Sequence, residues 1–154
     1  MVGKKKKSTT RSGTNLESLD QYTFFLDRAL ETYALRDALK RLGAKVEMHR
    51  DHFKEEADDP DWLPQVATRG WIILSTDQFN YLEREAIRNA GGRAFLLMHG
   101  NMTGDEQVAI ITSAMRRMLR ILKSNPPPFI ARIYRAKRVL ILSTEFRPYS
   151  SISR

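Results

Sequence analysis

The chain has 154 residues, 42% of them hydrophobic, enough for one globular domain with a sizeable core and too apolar for a disordered chain. It has no cysteine, which excludes disulfides, thiol catalysis and Cys-ligated zinc. Its formal net charge of +8 is uneven: residues 1–21 hold five basic side chains against two acidic, residues 132–154 six against one, and residues 22–131 fifteen of each.

Residues 1–21 are polar, with the run Lys4–Lys7 and no periodicity, and are expected to form a disordered basic arm. Basic but without an apolar core segment, they do not read as a secretory signal. No apolar run approaches the ~20 residues that span a bilayer, so a cytoplasmic location is the default and no membrane is expected. The folded part is expected over 22–142, with a frayed tail at 143–154.

The first strand is Tyr22-Thr23-Phe24-Phe25-Leu26, closing on Asp27. The spacing of Leu35, Ala38, Leu39 and Leu42 predicts a helix ending at Gly43, a C′ position. A short strand over Lys45–Met48 follows, then a polar loop to residue 58. Asp59-Pro60 reads as N-cap and first helical residue of a helix over roughly 60–69. Gly70 ends it, and the strand Trp71-Ile72-Ile73-Leu74-Ser75 begins at once, closing through Thr76 on Asp77. A helix over 79–90 stops at Gly91-Gly92, and Ala94–Met98 is a fourth strand. Thr103-Gly104-Asp105-Glu106 has the form of a capping box, opening a long helix to about Lys123. Asn125-Pro126-Pro127-Pro128 stops it. Two short pieces, Phe129–Tyr134 and Val139–Leu142, are candidates for paired edge strands. This alternation predicts an α/β fold: a three-layer α/β/α sandwich around a central, mainly parallel sheet of about four to five strands.

In such sheets, sites lie at the carboxyl ends of the strands. Two strands here end in aspartates, Asp27 and Asp77. Between them lies Asp58-Asp59-Pro60-Asp61, in a segment (50–62) with six acidic and two basic side chains. Carboxylates converging from these places repel, and a divalent cation is their natural occupant. A magnesium or manganese site acting on phosphodiesters is therefore expected. Asp27, Asp59 and Asp77 are the candidate catalytic residues, and Asp27, Asp59, Asp61 and Asp77 the candidate metal ligands. Either Asp59 or Asp61 supplies the middle group. Glu83, Arg84, Glu85 and Arg88 share one helix, mostly as surface ion pairs. Arg84 is a candidate for facing substrate phosphate, and Arg132 and Arg135 for holding a nucleic-acid backbone, on charge alone. His49, Asp51 and His52 could suggest a metal site, but two histidines on a loop are weak evidence for one. Gly-rich phosphate loops, the dinucleotide fingerprint and the Gly-x-Ser-x-Gly elbow are missing. A phosphoaspartyl phosphatase needs a second aspartate two residues after the first, where Ala29 stands.

Several of these pieces match one family: Phe24-Phe25-Leu26-Asp27-Arg28, Leu39–Gly43, His52-Phe53, Asp59–Pro64, Arg69–Asp77, Asn101-Met102-Thr103-Gly104 with Glu106, and Pro126–Tyr134. Over about 22–140 the chain resembles PIN-like domain proteins, the metal-dependent ribonuclease fold of VapC-type toxins, and within them a compact bacterial branch. The resemblance implies catalytic carboxylates at Asp27, Asp59 and Asp77, with Asp61 as neighbour, and magnesium or manganese as cofactor. It implies an RNA substrate, an antitoxin partner in a toxin–antitoxin pair, and a fold that often forms homodimers. One departure stands out. Many such nucleases carry a fourth acid soon after the third, where this chain reads Gln78-Phe79-Asn80. That departure favours the competing expectation, a PIN-like module that binds nucleic acid or a partner without cutting.

Overall fold

The computed structural model describes residues 18–98, 101–136 and 138–142. Most of the expected basic arm and all of the expected tail lie outside these residues. Leu19, within the expected arm, is fully buried in a short 3-10 turn, Leu19–Gln21.

Among the described residues, six strands form one sheet: β1 Thr23–Leu26, β2 Lys45–Met48, β3 Ile72–Ser75, β4 Arg93–Leu97, β5 Phe129–Ile133 and β6 Val139–Ile141. Their order is β2-β1-β3-β4-β5-β6. The first five run parallel, and β6 returns antiparallel along the edge. The sheet is wider than the four to five strands expected, because both apolar pieces after the prolines join it. Four helices connect the strands: α1 Tyr33–Arg41, α2 Asp59–Thr68, α3 Tyr81–Asn89 and α4 Gly104–Ser124.

Strand alternation sorts the core into two layers. Phe24, Leu26, Ile72, Leu74, Phe95 and Ala131 face one way and pack with Leu35 and Leu39 of α1 and Ile111, Met115 and Met118 of α4. Phe25, Ile73, Ala94, Leu96 and Ile130 face the other way, against Trp62, Leu63 and Val66 of α2 and Ile87 of α3. The expected α/β/α sandwich is thus formed, with α1 and α4 on one face and α2 and α3 on the other. The long helix opens as expected: Thr103 caps it, and its hydroxyl and the Glu106 carboxylate satisfy each other's backbone N–H.

The parallel strands β1, β3, β4 and β5 all finish on one edge, which is where the strand-end carboxylates gather. The turn into β4 is tight. A Cβ on Gly92 would meet the Ala67 Cβ at 2.6 Å and the Ile87 carbonyl at 3.2 Å, whereas a Cβ on Gly104 meets nothing within 4 Å. Gly92→Ala is therefore expected to destabilise the fold by about 1–3 kcal/mol through overpacking. Gly104→Ala should be neutral, or stabilise by up to about 1 kcal/mol. Urea denaturation of the two variants checks the contrast.

Candidate metal centre

Asp27 follows the last residue of β1, and its own N–H donates to the Leu74 carbonyl at 3.0 Å, prolonging the sheet by one bond. The residue is buried, at 4% exposure. The Ser75 hydroxyl donates to Oδ2 at 2.6 Å, and the Arg28 N–H donates to Oδ1 at 2.7 Å. Burial pushes the Asp27 pKa up, against these two hydrogen bonds and the Arg28 charge.

Asp59 lies in the first turn of α2. The helix caps one residue earlier than the sequence suggests: Asp58 is the N-cap, without a side-chain capping bond, and Pro60 is inside the first turn. Asp59 is therefore free of the capping duty assigned to it. Its Oδ1 accepts from the Trp62 indole N–H at 3.0 Å and from the Arg28 guanidinium at 3.2 Å. Trp62 is itself clamped by aromatic packing, 5.2 Å from the Phe25 ring and 5.5 Å from the His49 ring. Asp61, two residues further along the helix, is exposed and does not join the group.

Asp77 stands two residues beyond β3. The Ser75 hydroxyl accepts from its N–H at 2.9 Å, and its Oδ1 accepts from the Phe79 N–H at 2.8 Å. Phe79 takes φ 55°, a left-handed conformation rare for a bulky residue. That reversal leads into α3, whose cap is Asn80. The Asn80 side chain accepts from the Glu83 N–H at 2.8 Å, and Glu83 Oε1 accepts from the Asn80 N–H at 2.8 Å. Asn80 thus spends its carbonyl oxygen on the helix, and the box holds Glu83 back toward the loop.

The structure brings together Asp59, Asp77 and Glu83, which offer three oxygens within 4.8 Å of one another. Asp27 borders this group without joining it. Asp59 shows the strain of the arrangement. Burial, first, and then the charges of Asp27, Glu83 and Asp77 raise its pKa to about 6, against the Trp62 hydrogen bond. The Arg28 guanidinium, in salt-bridge contact at 3.2 Å, also opposes the rise. Three hard oxygen donors held together against their own repulsion suit a divalent cation such as Mg2+ or Mn2+.

Glu83 is the acid that the sequence reading missed, having placed it among surface ion pairs. Only Glu85 and Arg88 of that set form one, at 3.1 Å. The signal was there: Asn80-x-x-Glu83 has the form of a capping box, which turns the Glu back toward the loop after Asp77. Of the candidate phosphate groups, Arg84 and Arg132 converge on Gln78. Arg84 donates twice to the Gln78 carbonyl, at 2.9 and 3.0 Å, and Arg132 Nε donates to Gln78 Oε1 at 3.2 Å. Burial, then the charges of Arg132 and Arg88, lower the Arg84 pKa. Arg135 turns instead to the start of α4, 3.9 Å from Glu106. His49 is fully buried, with neither ring nitrogen hydrogen-bonded, and burial holds its pKa down. His52 lies 2.7 Å from Glu47.

A family model described as PIN like domain matches residues 23–99, half of the chain. The match runs from β1 to just past β4 and takes in Asp27, Asp59, Asp77 and Glu83. No curated protein and no solved structure matches the chain.

Two outcomes follow from the charges. Between an ordinary carboxylate pKa of 3.8 and the value of about 6, the folded chain keeps a proton on Asp59 that the unfolded chain has released. Metal-free stability should therefore fall as pH rises through that window, while affinity for Mn2+ rises as the proton becomes easier to displace. Thermal melts in EDTA and calorimetric Mn2+ titrations from pH 4.5 to 7.5 read both slopes. Arg28→Gln removes the nearest counter-charge. Its metal-free melting temperature at pH 7 should drop below wild type and recover with 10 mM Mg2+; equal temperatures in EDTA would mean the pair does not stabilise the site.

Proposed function

The chain belongs to the PIN-like domain family, and from that premise we propose that it is a divalent-metal-dependent endoribonuclease centred on Asp59, Asp77 and Glu83, with Asp27 beside them. Members of the family are generally nucleases, and those typically use divalent metals. The observation that carries the proposal is the convergence of three carboxylates, from α2, the β3 loop and α3, within 4.8 Å on the carboxyl edge of a parallel sheet.

Asp59, Asp77 and Glu83 would hold Mg2+ or Mn2+ through oxygens not engaged with the scaffold. The chemistry such an ion supplies is activation of water at neutral pH and neutralisation of charge developing on the phosphate. Asp27, fixed by Ser75 and the Arg28 N–H, adds a negative charge beside the ligands and sets the position of the neighbouring Arg28. Arg84 and Arg132, gathered around Gln78, stand one residue from Asp77 and can take the phosphate oxygens of a strand passing the acids. Trp62, locked in its aromatic nest, orients Asp59.

The competing reading, a binding module without catalysis, drew its support from the missing acid at Gln78-Phe79-Asn80. Glu83 supplies a carboxylate at that place from the next helical turn. The nuclease reading is therefore favoured.

Incubation of purified protein with mixed single-stranded RNAs, with Mn2+ or with EDTA, tests it. Metal-dependent shortening of the RNA is expected. Asp77→Asn should abolish it, and Glu83→Gln should reduce it by at least the roughly 10–100-fold that losing a group hydrogen-bonded to a metal ligand costs. Glu85→Gln, a control on the same helix, should cut like wild type. Intact RNA under every metal condition would leave the binding module standing. Where the nuclease acts as the toxin of a toxin–antitoxin pair, expressing the wild-type chain arrests growth and expressing Asp77→Asn does not, and an antitoxin would act by covering this acidic edge.

A further inference from the structure

Glu106 is the last acid before Glu145. Residues 107–144 hold eight basic side chains and no acidic one, which equals the net charge of the whole chain, +8. The fold concentrates part of this charge. Arg117 and Arg120 stand one turn apart on α4, both exposed. Edge strand β6 brings Arg138 opposite them across a groove of about 410 Å³, whose lining includes Ile121, Val139 and Leu140. Leu140 is 47% exposed. The Arg138 guanidinium lies over the Tyr134 ring, 5.0 Å from its centre. Among the described residues, no carboxylate pairs with Arg117, Arg120 or Arg138.

We infer that the groove between α4 and β6 is a second nucleic-acid site, which takes the phosphate backbone of a single RNA strand whose other part lies at the acidic centre. This deepens the nuclease reading and rests on it for the identity of the strand. Charge selects a polyanion. The mixture of guanidiniums with the apolar surface of Ile121, Val139 and Leu140 suits a single strand, whose phosphates meet the charges while its bases lie on the rest. Continuity selects the substrate over a separate acidic partner. Leu140 of the groove is the register partner of Arg132 on β5, and Arg132 donates to Gln78, the residue after Asp77. From β3 to β6 is three strand spacings of about 4.8 Å each, ~15 Å in all. At about 3.4 Å per stacked nucleotide, a strand at the acids reaches the groove within about four or five nucleotides.

The test is binding without cleavage. A fluorescein-labelled 20-nucleotide single-stranded RNA is titrated with full-length protein in EDTA, by anisotropy, at several KCl concentrations. For the triple variant Arg117→Ala, Arg120→Ala, Arg138→Ala, affinity at 150 mM KCl should fall at least about tenfold. Its log–log salt slope should shrink by about 2, three phosphate contacts at roughly 0.7 each. A three-nucleotide RNA, too short to reach both places, should lose much less affinity in the variant than the 20-nucleotide strand does. Arg120→Glu is a second, single-site variant with the same expected direction, and melting temperatures check that both fold. Wild-type affinity in the folded variants overturns the groove, as does wild-type protein that prefers poly-glutamate to RNA or binds no RNA at low salt. Lost affinity in the variant beside a wild type that never cuts removes the nuclease reading and keeps the groove. Unchanged affinity beside an active wild type does the reverse.

Discussion

Three carboxylate oxygens within 4.8 Å of one another repel, and much of the sheet's carboxyl edge is arranged to keep them there. Each acid is held by a different device. Asp59 is pinned by an indole N–H whose ring cannot move, because Phe25 and His49 pack against it. Asp77 is fixed by an Asx-type bond to the Phe79 N–H, in a turn that needs a left-handed phenylalanine. Glu83 is held by reciprocal bonds with the Asn80 cap. No single anchor is strong, since a neutral hydrogen bond nets about 1 kcal/mol and one to a charge about twice that. Their number, and the rigidity of the elements that carry them, keep the acids from relaxing apart.

Ser75 links Asp77 to Asp27. Its hydroxyl donates to Asp27 and accepts from the Asp77 N–H, so one buried side chain at the end of β3 ties the ends of two neighbouring strands. Adjacent parallel strands put β1 and β3 side by side, and the Phe24–Ile72 and Leu26–Leu74 register sets where their exits lie. Apolar packing on both faces decides that register, because a one-residue slip would turn Phe25 and Ile73 away from Trp62. Core packing and acid placement are thus one arrangement, and Phe25 serves both. A substitution that loosened the Phe25–Trp62 contact would disturb the carboxylates as well as the core.

The strands were legible because their signal is local. Tyr22–Leu26 and Trp71–Ser75 are apolar runs bounded by charge and glycine, and the register adds little to what those runs say. The capping box at Thr103 was legible for the same reason. The start of α2 was displaced by one residue because Asp58 and Asp59 both suit a cap; in the fold Asp58 caps, and Asp59, inside the first turn, accepts from Trp62 three residues on. Arg28 gave no sequence sign of its partners, since Asp59 and the Glu55 carbonyl lie far along the chain and meet it only after β1 and α2 dock. Glu83 could have been read from the cap at Asn80, but its neighbours Arg84, Glu85 and Arg88 look like an exposed charged face. The helix separates them: Glu83 turns to the loop, Arg84 reaches the Gln78 carbonyl, and Glu85 and Arg88 pair with each other.

Charge on this molecule is segregated, and the segregation has a thermodynamic consequence. Without a divalent ion, the acids are relieved in two ways: Arg28 lies against Asp59, and Asp59 holds a proton up to about pH 6. Both are weaker than a doubly charged ion, and both must yield to it. Arg28, with its side chain 34% exposed, can leave Asp59 for solvent, or for a phosphate, without unfolding anything. A cation that entered would release a proton below about pH 6, and would free a guanidinium at the same edge where Arg84 and Arg132 already stand. Loading the acids would make that edge more positive, and so more attractive to a polyanion, as the charge of the basic stretch 107–144 already is. If the proposed function holds, metal and nucleic acid would bind with positive coupling: each would neutralise charge that opposes the other, and linkage requires the effect to be mutual.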